Sequence, residues 1–150
     1  MAVEGRAGSN SGVKYNVSAD FSRQKASNHA ALGFEYQILD DSLNDDNKIA
    51  LHRAGALYDL LPTNDTKTLQ PVGAWNRSRL VLRGNHSEYW LNGVKVVEFD
   101  LGSARMDSAL AKSKYRAIVG FAERNTGHII LQDHGEEAFF RDIKIRLFNR

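Results

Sequence analysis

Two short polar runs follow apolar segments of this sequence and carry side chains that can do chemistry. In the first, Glu35 and Gln37 stand two residues apart, so a β-strand would point both to one face. In the second, Gln132 and His134 share the same spacing. A carboxylate beside amides can hold hydroxyl groups, and a neutral imidazole can act as a general base near neutral pH. These four side chains are the candidates for a polar ligand site, with Glu35 and His134 as the candidate catalytic residues.

Both runs also have a purely structural interpretation. Glu35 and Gln37 would form a solvent-facing polar row on a strand, as many strands do. Asp133 and His134 would cap a turn before Gly135. The residues alone leave these alternatives open.

Aromatic residues provide a third group, because their rings can stack on the C–H faces of sugars. For any single aromatic residue, packing in the core is the commoner role. Trp90 lies next to a turn signal and Trp75 ends a loop, so these two are the less certain core members. The group consists of Tyr36, Tyr58, Trp75, Tyr89 and Trp90.

Several well-defined catalytic signatures are absent from the sequence. It has no cysteine, phosphate-binding glycine loop, Gly-x-Ser-x-Gly elbow or His-Glu-x-x-His motif. An ordinary glycosidase needs two carboxyl groups flanking the bond that is cleaved. The second carboxyl group would be expected two residues after Glu35, but that position holds Gln37. This argues against a standard retaining mechanism on this strand.

The elements that would position these residues are short and predominantly β. Apolar and polar residues alternate between turn signals, and Asn92-Gly93 is typical of a two-residue type I′ hairpin turn. The chain therefore predicts an all-β single domain, 1–150, folded as a sandwich of two antiparallel sheets. We expect loops over 40–52 and 61–74, and one short helix over 103–113. Strands are predicted near 11–17, 31–39, 53–60, 78–84, 87–92, 94–99, 115–122, 127–133 and 138–148.

Charge and hydropathy limit the classes of partner. The 20 basic and 18 acidic residues are interspersed and give a net charge of +2, which does not favour a nucleic-acid partner. No apolar run approaches the roughly 18 residues that a membrane span needs, so no membrane partner is predicted. There is also no apolar signal-peptide core after Met1.

The order of several motifs closely resembles the 3-keto-disaccharide hydrolase family, once catalogued as a domain of unknown function. The resemblance runs from about residue 8 to residue 147. It implies a concanavalin-like jelly-roll β-sandwich, a bacterial origin, a periplasmic or extracellular location, and action on keto-glycosides or related glycans. The motifs are Asn10-Ser11-Gly12-Val13-Lys14-Tyr15, Glu35-Tyr36-Gln37-Ile38-Leu39-Asp40, Ala54-Gly55-Ala56-Leu57-Tyr58-Asp59-Leu60, Trp75-Asn76, Trp90-Leu91-Asn92-Gly93, Gly127-His128-Ile129, Leu131-Gln132-Asp133-His134-Gly135 and Phe140-Arg141-Asp142-Ile143-Lys144-Ile145.

The chain departs from the family pattern in three places. Typical members carry a further N-terminal stretch with the first strands, whereas nine residues precede Asn10 here. We therefore expect an open sheet edge, covered by a partner subunit in a homo-oligomer. Tyr89 stands where the family usually has His, and Asp142 stands where it usually has Asn.

The resemblance implies keto-sugar chemistry, which needs only one well-placed base. A ketone at C3 acidifies the C2 proton, and loss of that proton lets the C1 substituent leave before water adds. We assign the base to His134 or Glu35, hydroxyl and oxyanion binding to Gln37, Gln132, Arg53 and Arg79, and sugar contacts to Tyr58, Tyr89 and Trp90. No cofactor is predicted: His134 and a carboxylate could hold a divalent metal, but no metal-ligand spacing supports one.

Two other functions fit the same residues. One is a carbohydrate-binding module in which Glu35, Gln37 and His134 hold hydroxyls without proton transfer. The other is a structural domain completed by a partner chain.

Overall fold

A computed structural model describes residues 1–18, 31–123 and 126–148, which contain eight strands and one α-helix. Two short 3-10 helices, Asp45–Lys48 and Ala50–His52, lie in the loop after the third strand. The helix is α1 (Ala104–Lys112). The strands are β1 (Ala2–Gly5), β2 (Asn10–Val17), β3 (Phe34–Leu39), β4 (Asn76–Arg83), β5 (His86–Leu91), β6 (Val94–Asp100), β7 (His128–Leu131) and β8 (Ala138–Arg141).

The strands form two antiparallel sheets with the core between them. One sheet has five strands in the order β6-β5-β4-β1-β8, and the other has three in the order β3-β2-β7. Alternation along β5 buries Ser87, Tyr89 and Leu91 and leaves the residues between them partly exposed. The predicted all-β sandwich of two antiparallel sheets is confirmed.

The hairpin turn and the helix form where the sequence predicts them. Asn92 and Gly93 have φ values of 50° and 87°, as a type I′ turn between β5 and β6 requires. Ser103 caps α1, because its side chain accepts a hydrogen bond from the Met106 N–H. Met106 is the buried residue of this helix and fixes it against the core. Among the described residues, no helix is long and apolar enough to cross a bilayer.

Two predicted strands are wrong. Residues 53–60 form turns with single bridges from Leu57 to Tyr36 and to Leu61. Gly55 and Asp59 have positive φ angles of 82° and 61°, which interrupt an extended ladder. Residues 115–122 also form turns. Their apolar residues reach the core through the stacked rings of Tyr115 and Phe121 instead of through a strand.

Other strands differ in extent. The strand predicted over 31–39 begins at Phe34, and the one over 127–133 covers His128–Leu131. The one over 138–148 ends at Arg141, before Asp142 with its positive φ of 53°. β1 is not predicted by the sequence, because four residues carry too little alternation to distinguish a strand.

Tyr89 lies in the core, so the predicted sugar contact at this residue is wrong. Its side chain is fully buried and its hydroxyl lies 2.7 Å from the hydroxyl of Tyr15. Its ring packs edge-on against Tyr36 and Phe99. A side chain in this position supports the sandwich and cannot reach a ligand.

Replacing Tyr89 with Phe is therefore expected to change stability alone. The variant loses the buried hydroxyl pair, at a cost of about 1 kcal/mol in the free energy of unfolding. For a chain of this length that corresponds to a melting temperature lower by roughly 2–4 °C. Thermal unfolding followed by circular dichroism measures the shift. A raised KM for a sugar substrate would contradict the core assignment.

Candidate functional site

The outer face of the three-stranded sheet, away from the core, carries the polar residues. Gly12 of β2 pairs with Gln37 of β3, and its carbonyl accepts a hydrogen bond of 2.9 Å from the Gln132 N–H. Two residues further along β2, Lys14 pairs with Glu35 of β3. Strand alternation thus places Glu35, Gln37 and Gln132 on one face, with the glycine between the two amides.

These residues form the floor of a cavity of about 260 Å³. Its volume and its mixture of aromatic and polar groups suit a small polar ligand. Glu35, Gln37, Gln132 and His134, which the sequence nominates, all line this one cavity. The other lining residues are Asn10, Lys14, Ala31, Leu32, Gly33, Tyr58, Lys114 and Tyr115.

Glu35 is the buried carboxylate of the cavity, with 3% of its surface exposed. Desolvation raises the pKa of its carboxyl group above the usual value, although Lys14, Lys114 and His134 act against the shift. The Lys14 ammonium lies 3.6 Å from the carboxylate. A carboxyl group with a raised pKa is a stronger base once ionised, which is what a proton abstraction near neutral pH requires.

The amide oxygens of Gln37 and Gln132 are buried and have no hydrogen-bond donor among the described residues. The other end of Gln37 is held in place, because its amide nitrogen donates to Asn10 Oδ1 at 3.0 Å. The free acceptor is therefore the oxygen in each case. An unpaired buried acceptor is costly, and a ligand hydroxyl would satisfy it.

One wall of the cavity is built by Tyr58 and Lys114. The Lys114 ammonium lies 4.0 Å from the centre of the Tyr58 ring, and that ring stacks on His52 at 4.4 Å. Asp59 ties the wall together, since its carboxylate accepts a 2.7 Å hydrogen bond from the Lys114 N–H. Burial raises the pKa of Tyr58 to about 12, so its hydroxyl keeps its proton at neutral pH.

His134 stands at the open side of the cavity. About half of its side chain is exposed, and Nδ1 lies 3.2 Å from the Glu136 carboxylate. Gly135 continues the chain through a turn, in which its N–H donates to the Asp133 side chain. The capping role considered for Asp133 is thus observed, and His134 is among the residues that line the cavity.

Three residues expected to bind substrate lie elsewhere. Arg79 of β4 and Trp90 of β5 pair with each other on the outer face of the five-stranded sheet, where the guanidinium carbon lies 4.1 Å from the Trp90 ring. Arg53 is exposed and donates to the Asn47 carbonyl. The predicted binding of hydroxyls or the oxyanion by Arg53 and Arg79, and the predicted sugar contact of Trp90, do not belong to this cavity, because none of the three residues lines it.

The cations that do line the cavity are Lys14 and Lys114, which the sequence analysis did not nominate. Lys14 could have been found from the alternation of β2, which places it on the same face as Asn10 and Gly12. No local signal identifies Lys114, because it follows α1 and reaches the cavity only through the tertiary fold.

Metal-ligand groupings among the described residues lie outside the cavity. His86, Glu88 and Glu98 bring one ligand atom each within 4.8 Å of one another. They lie on the outer face of the five-stranded sheet, where the Lys95 ammonium is 2.7 Å from Glu98 and 3.5 Å from Glu88. A resident cation so close competes with a metal for the carboxylates.

Two solved structures are similar to this chain in fold and in sequence. A crystal structure of a presumed glycosyl hydrolase from Parabacteroides distasonis has 27% sequence identity and a TM-score of 0.78, over 91% of this chain and 64% of that one. A second crystal structure from that organism, also of a presumed glycosyl hydrolase, has 29% identity and a TM-score of 0.56, over 67% of this chain and 48% of that one.

Sequence comparison gives a matching result. A 3-keto-disaccharide hydrolase of Bacteroides thetaiotaomicron is 26% identical over 160 residues, which cover 95% of this chain and 55% of that protein. The chain thus spans little more than half the length of this relative. The family model of the 3-keto-alpha-glucoside-1,2-lyase-like domain matches residues 1–146. The resemblance read from the motifs is confirmed, and this chain belongs to the family of 3-keto-alpha-glucoside-1,2-lyase-like domains.

Proposed function

We propose that the domain binds a 3-keto-glycoside or a related glycan in the cavity above β2 and cleaves its glycosidic bond. The observation that carries this is a pair of buried amide oxygens, those of Gln37 and Gln132, for which residues 1–18, 31–123 and 126–148 supply no donor. They lie on either side of a glycine and next to the buried Glu35 carboxylate. Sugar hydroxyls supply the missing donors. The ketone removes the need for a second catalytic carboxyl group.

The reaction proceeds by elimination and hydration. Glu35 takes the proton from C2, the electrons of that C–H bond pass to the C3 oxygen as an enolate, and the C1–O bond then breaks to release the aglycone, which takes up a proton. Water adds at C1 of the resulting enone, and a proton returns to C2. The sum of the two steps is hydrolysis.

The charges of the cavity suit these steps. The ammonium groups of Lys14 and Lys114 favour a negative charge, so they stabilise the enolate oxygen. His134, at the open side, exchanges protons with the departing aglycone. Glu35 takes the base role because it is buried and has the raised carboxyl pKa, whereas His134 is half exposed.

Isotope incorporation tests the mechanism. The protein is incubated in D₂O with a 3-keto-glucoside that bears a chromogenic aglycone. We expect release of the aglycone and deuterium at C2 of the sugar product, because hydration returns a solvent proton to that carbon. Release without deuterium at C2 would exclude the elimination route, and no release would exclude cleavage of this class of substrate.

A non-catalytic carbohydrate-binding domain is the second candidate. It is favoured by the Lys14–Glu35 ion pair at 3.6 Å, because a paired carboxylate is a weaker base. The two candidates separate in one titration: a binder shows saturable heat with the keto-glucoside in calorimetry and releases no aglycone.

Gln132→Leu should weaken substrate binding. The change removes an amide oxygen that has no donor in the described part of the chain and leaves a sugar hydroxyl unpaired. We expect KM to rise by roughly tenfold, as loss of one buried hydrogen bond predicts, with a smaller effect on kcat. Trp90→Ala, on the opposite sheet, is the matched control and should leave KM unchanged. An unchanged KM in Gln132→Leu would remove this residue from the site.

A further inference from the structure

The side-chain amide of Gln37 has a defined orientation in the cavity floor. Its nitrogen donates to Asn10 Oδ1 at 3.0 Å, and its oxygen is the buried end for which the described ranges hold no donor. Asn10 pairs with Leu39 on β3, so its side chain lies diagonally across from Gln37 on the same face. Gln37 is 1% exposed and Asn10 is 6% exposed, so bulk water competes little for this contact.

The hydrogen bond between these two residues does not determine the orientation by itself. Each amide carries a donor nitrogen and an acceptor oxygen. If both amides were turned over, Asn10 would donate to the Gln37 oxygen, and the Gln37 nitrogen would face the cavity instead. Both arrangements contain one hydrogen bond between the same two side chains. A third group must therefore decide between them.

Asp46 is that third group, because its Oδ2 lies 3.5 Å from Asn10 Nδ2. The distance is long for a hydrogen bond, but the attraction between a charge and an amide dipole persists at this range. A carboxylate accepts and does not donate, so it attracts the nitrogen of Asn10 and repels the oxygen. The Asn10 oxygen is thereby turned to Gln37. Gln37 must then give its nitrogen to Asn10 and its oxygen to the cavity.

The loop that carries Asp46 holds its carboxylate in place. Asn44 caps the 3-10 helix that contains Asp46, by accepting from the Asp46 N–H at 3.0 Å. Asn44 also donates to the Gly8 carbonyl at 2.7 Å, which ties the loop to the chain just before β2. The second carboxylate oxygen of Asp46 lies 3.9 Å from His52 Nδ1. The carboxylate is therefore held between His52 and Asn10.

We propose that Asp46, acting through Asn10, makes the Gln37 end of the cavity a hydrogen-bond acceptor and so determines which part of a sugar binds there. An acceptor selects a hydroxyl group, which can donate, and repels a carbonyl or ether oxygen, which cannot. Asp46 does not line the cavity and is a positioning residue. The sugar as ligand rests on the proposed function, whereas the orientation of the amide does not.

This acceptor orients a 3-keto sugar in the cavity. The carbonyl at C3 has no proton to donate, so the Gln37 oxygen disfavours it. The ammonium groups of Lys14 and Lys114, which belong to the same cavity, favour it. The sugar therefore binds with a hydroxyl at Gln37 and with its carbonyl toward the lysines, where the enolate charge is stabilised.

Hydrogen exchange of the side-chain amides, measured by NMR on the protein without ligand, tests the orientation. We expect slow exchange of the Gln37 NH₂ group in the wild type, because it is buried and donates to Asn10. Asp46→Lys places a cation against Asn10 and turns both amides over. The Gln37 NH₂ group then loses its hydrogen bond and should exchange about tenfold faster. Asp45→Lys is the matched control: it reverses the same charge on a 95% exposed neighbour and should leave the exchange unchanged.

A double variant separates this effect from damage to the loop. In Asp46→Lys with Asn10→Asp, the carboxylate at position 10 pairs with the introduced lysine and can only accept from Gln37. The original orientation of Gln37 should return, and slow exchange with it. Fast exchange in the wild type, unchanged exchange in Asp46→Lys, or no recovery in the double variant would each overturn the proposal.

Calorimetry with a sugar that cannot be cleaved tests the selectivity. The parent ligand is 1,5-anhydroglucitol oxidised at C3, which has no aglycone, and fluorine replaces its C2, C4 or C6 hydroxyl in turn. In the wild type, the fluorine that falls at Gln37 cannot donate and should weaken binding by about tenfold. This penalty should shrink in Asp46→Lys and return in the double variant.

Two calorimetric outcomes would overturn the selectivity: no penalty for any fluorinated sugar in the wild type, or an equal penalty in all three proteins. A parent sugar that binds none of the three proteins would instead refute the proposed function. The exchange rates would still decide whether Asp46 orients Gln37, because they are measured without a ligand.

Discussion

Glu35→Gln should lower the rate of aglycone release by about 10²–10⁴-fold, the usual contribution of a general base. The amide is nearly isosteric with the carboxylate and can still accept a hydrogen bond from Lys14. Binding of the keto-glucoside should therefore persist. Rates measured with the chromogenic substrate, together with calorimetric titration, separate the two effects.

The same variant should change how stability depends on pH. Burial raises the pKa of Glu35 in the folded protein, so the folded state keeps this proton to a higher pH than the unfolded chain does. The stability from the protonated group is fully present below the unfolded pKa and is lost as pH rises through the folded pKa. Glu35→Gln lacks this loss, and its unfolding free energy should decline less across that window.

Glu88→Gln is the matched control for the stability measurement. A hydrogen bond from the Trp90 indole lowers the pKa of Glu88, so its linkage has the opposite sign and stability is lost as pH falls. Its aglycone release should equal that of the wild type. Urea unfolding at several pH values compares the two variants. A Glu35→Gln variant with full activity would transfer the base role to His134.

The shared face of the candidate residues could be predicted from the sequence because strands have a period of two. Spacing alone places Glu35 beside Gln37 on β3. Gln132 and His134 lie just past the end of β7, yet hydrogen bonding to Gly12 keeps Gln132 in line with the sheet. The hairpin at Asn92-Gly93 was equally predictable, since positive φ at two consecutive positions strongly restricts residue type.

The other features of the site depend on tertiary packing, which the periodicity of a sequence cannot predict. Residues 53–60 read as a strand, but positive φ angles at Gly55 and Asp59 fold them into turns that present Tyr58 to the cavity. Arg79 and Trp90 have suitable chemistry, yet the sheet to which they belong turns them away from the cavity. The backbone of Lys114 is held at the cavity by Asp59, through a hydrogen bond between residues 55 positions apart.

Gly12→Ala tests whether the position of Glu35, and not only its presence, is needed. Gly12 lies on β2, the central strand of its sheet, beneath the Glu35 side chain. A Cβ atom there would overlap the Glu35 carboxyl group, so the carboxylate must move while the paired backbone stays in place. A displacement of about 1 Å in a reacting group can cost 10²-fold in rate, and we expect a loss of that size in kcat.

Two further variants separate displacement of the Glu35 carboxylate from general overcrowding of the sheet. Gly5→Ala is the control, because a Cβ on that strand glycine would overlap Ser9, which lies outside the cavity, and should reduce stability without changing kcat. In the background of Glu35→Asp, whose shorter side chain leaves room for the methyl group, Gly12→Ala should cost far less than it does in the wild type. Equal losses in both backgrounds would show that Gly12 acts through the sheet and not through the carboxylate, and the assignment of Glu35 as a positioned base would lose its geometric support.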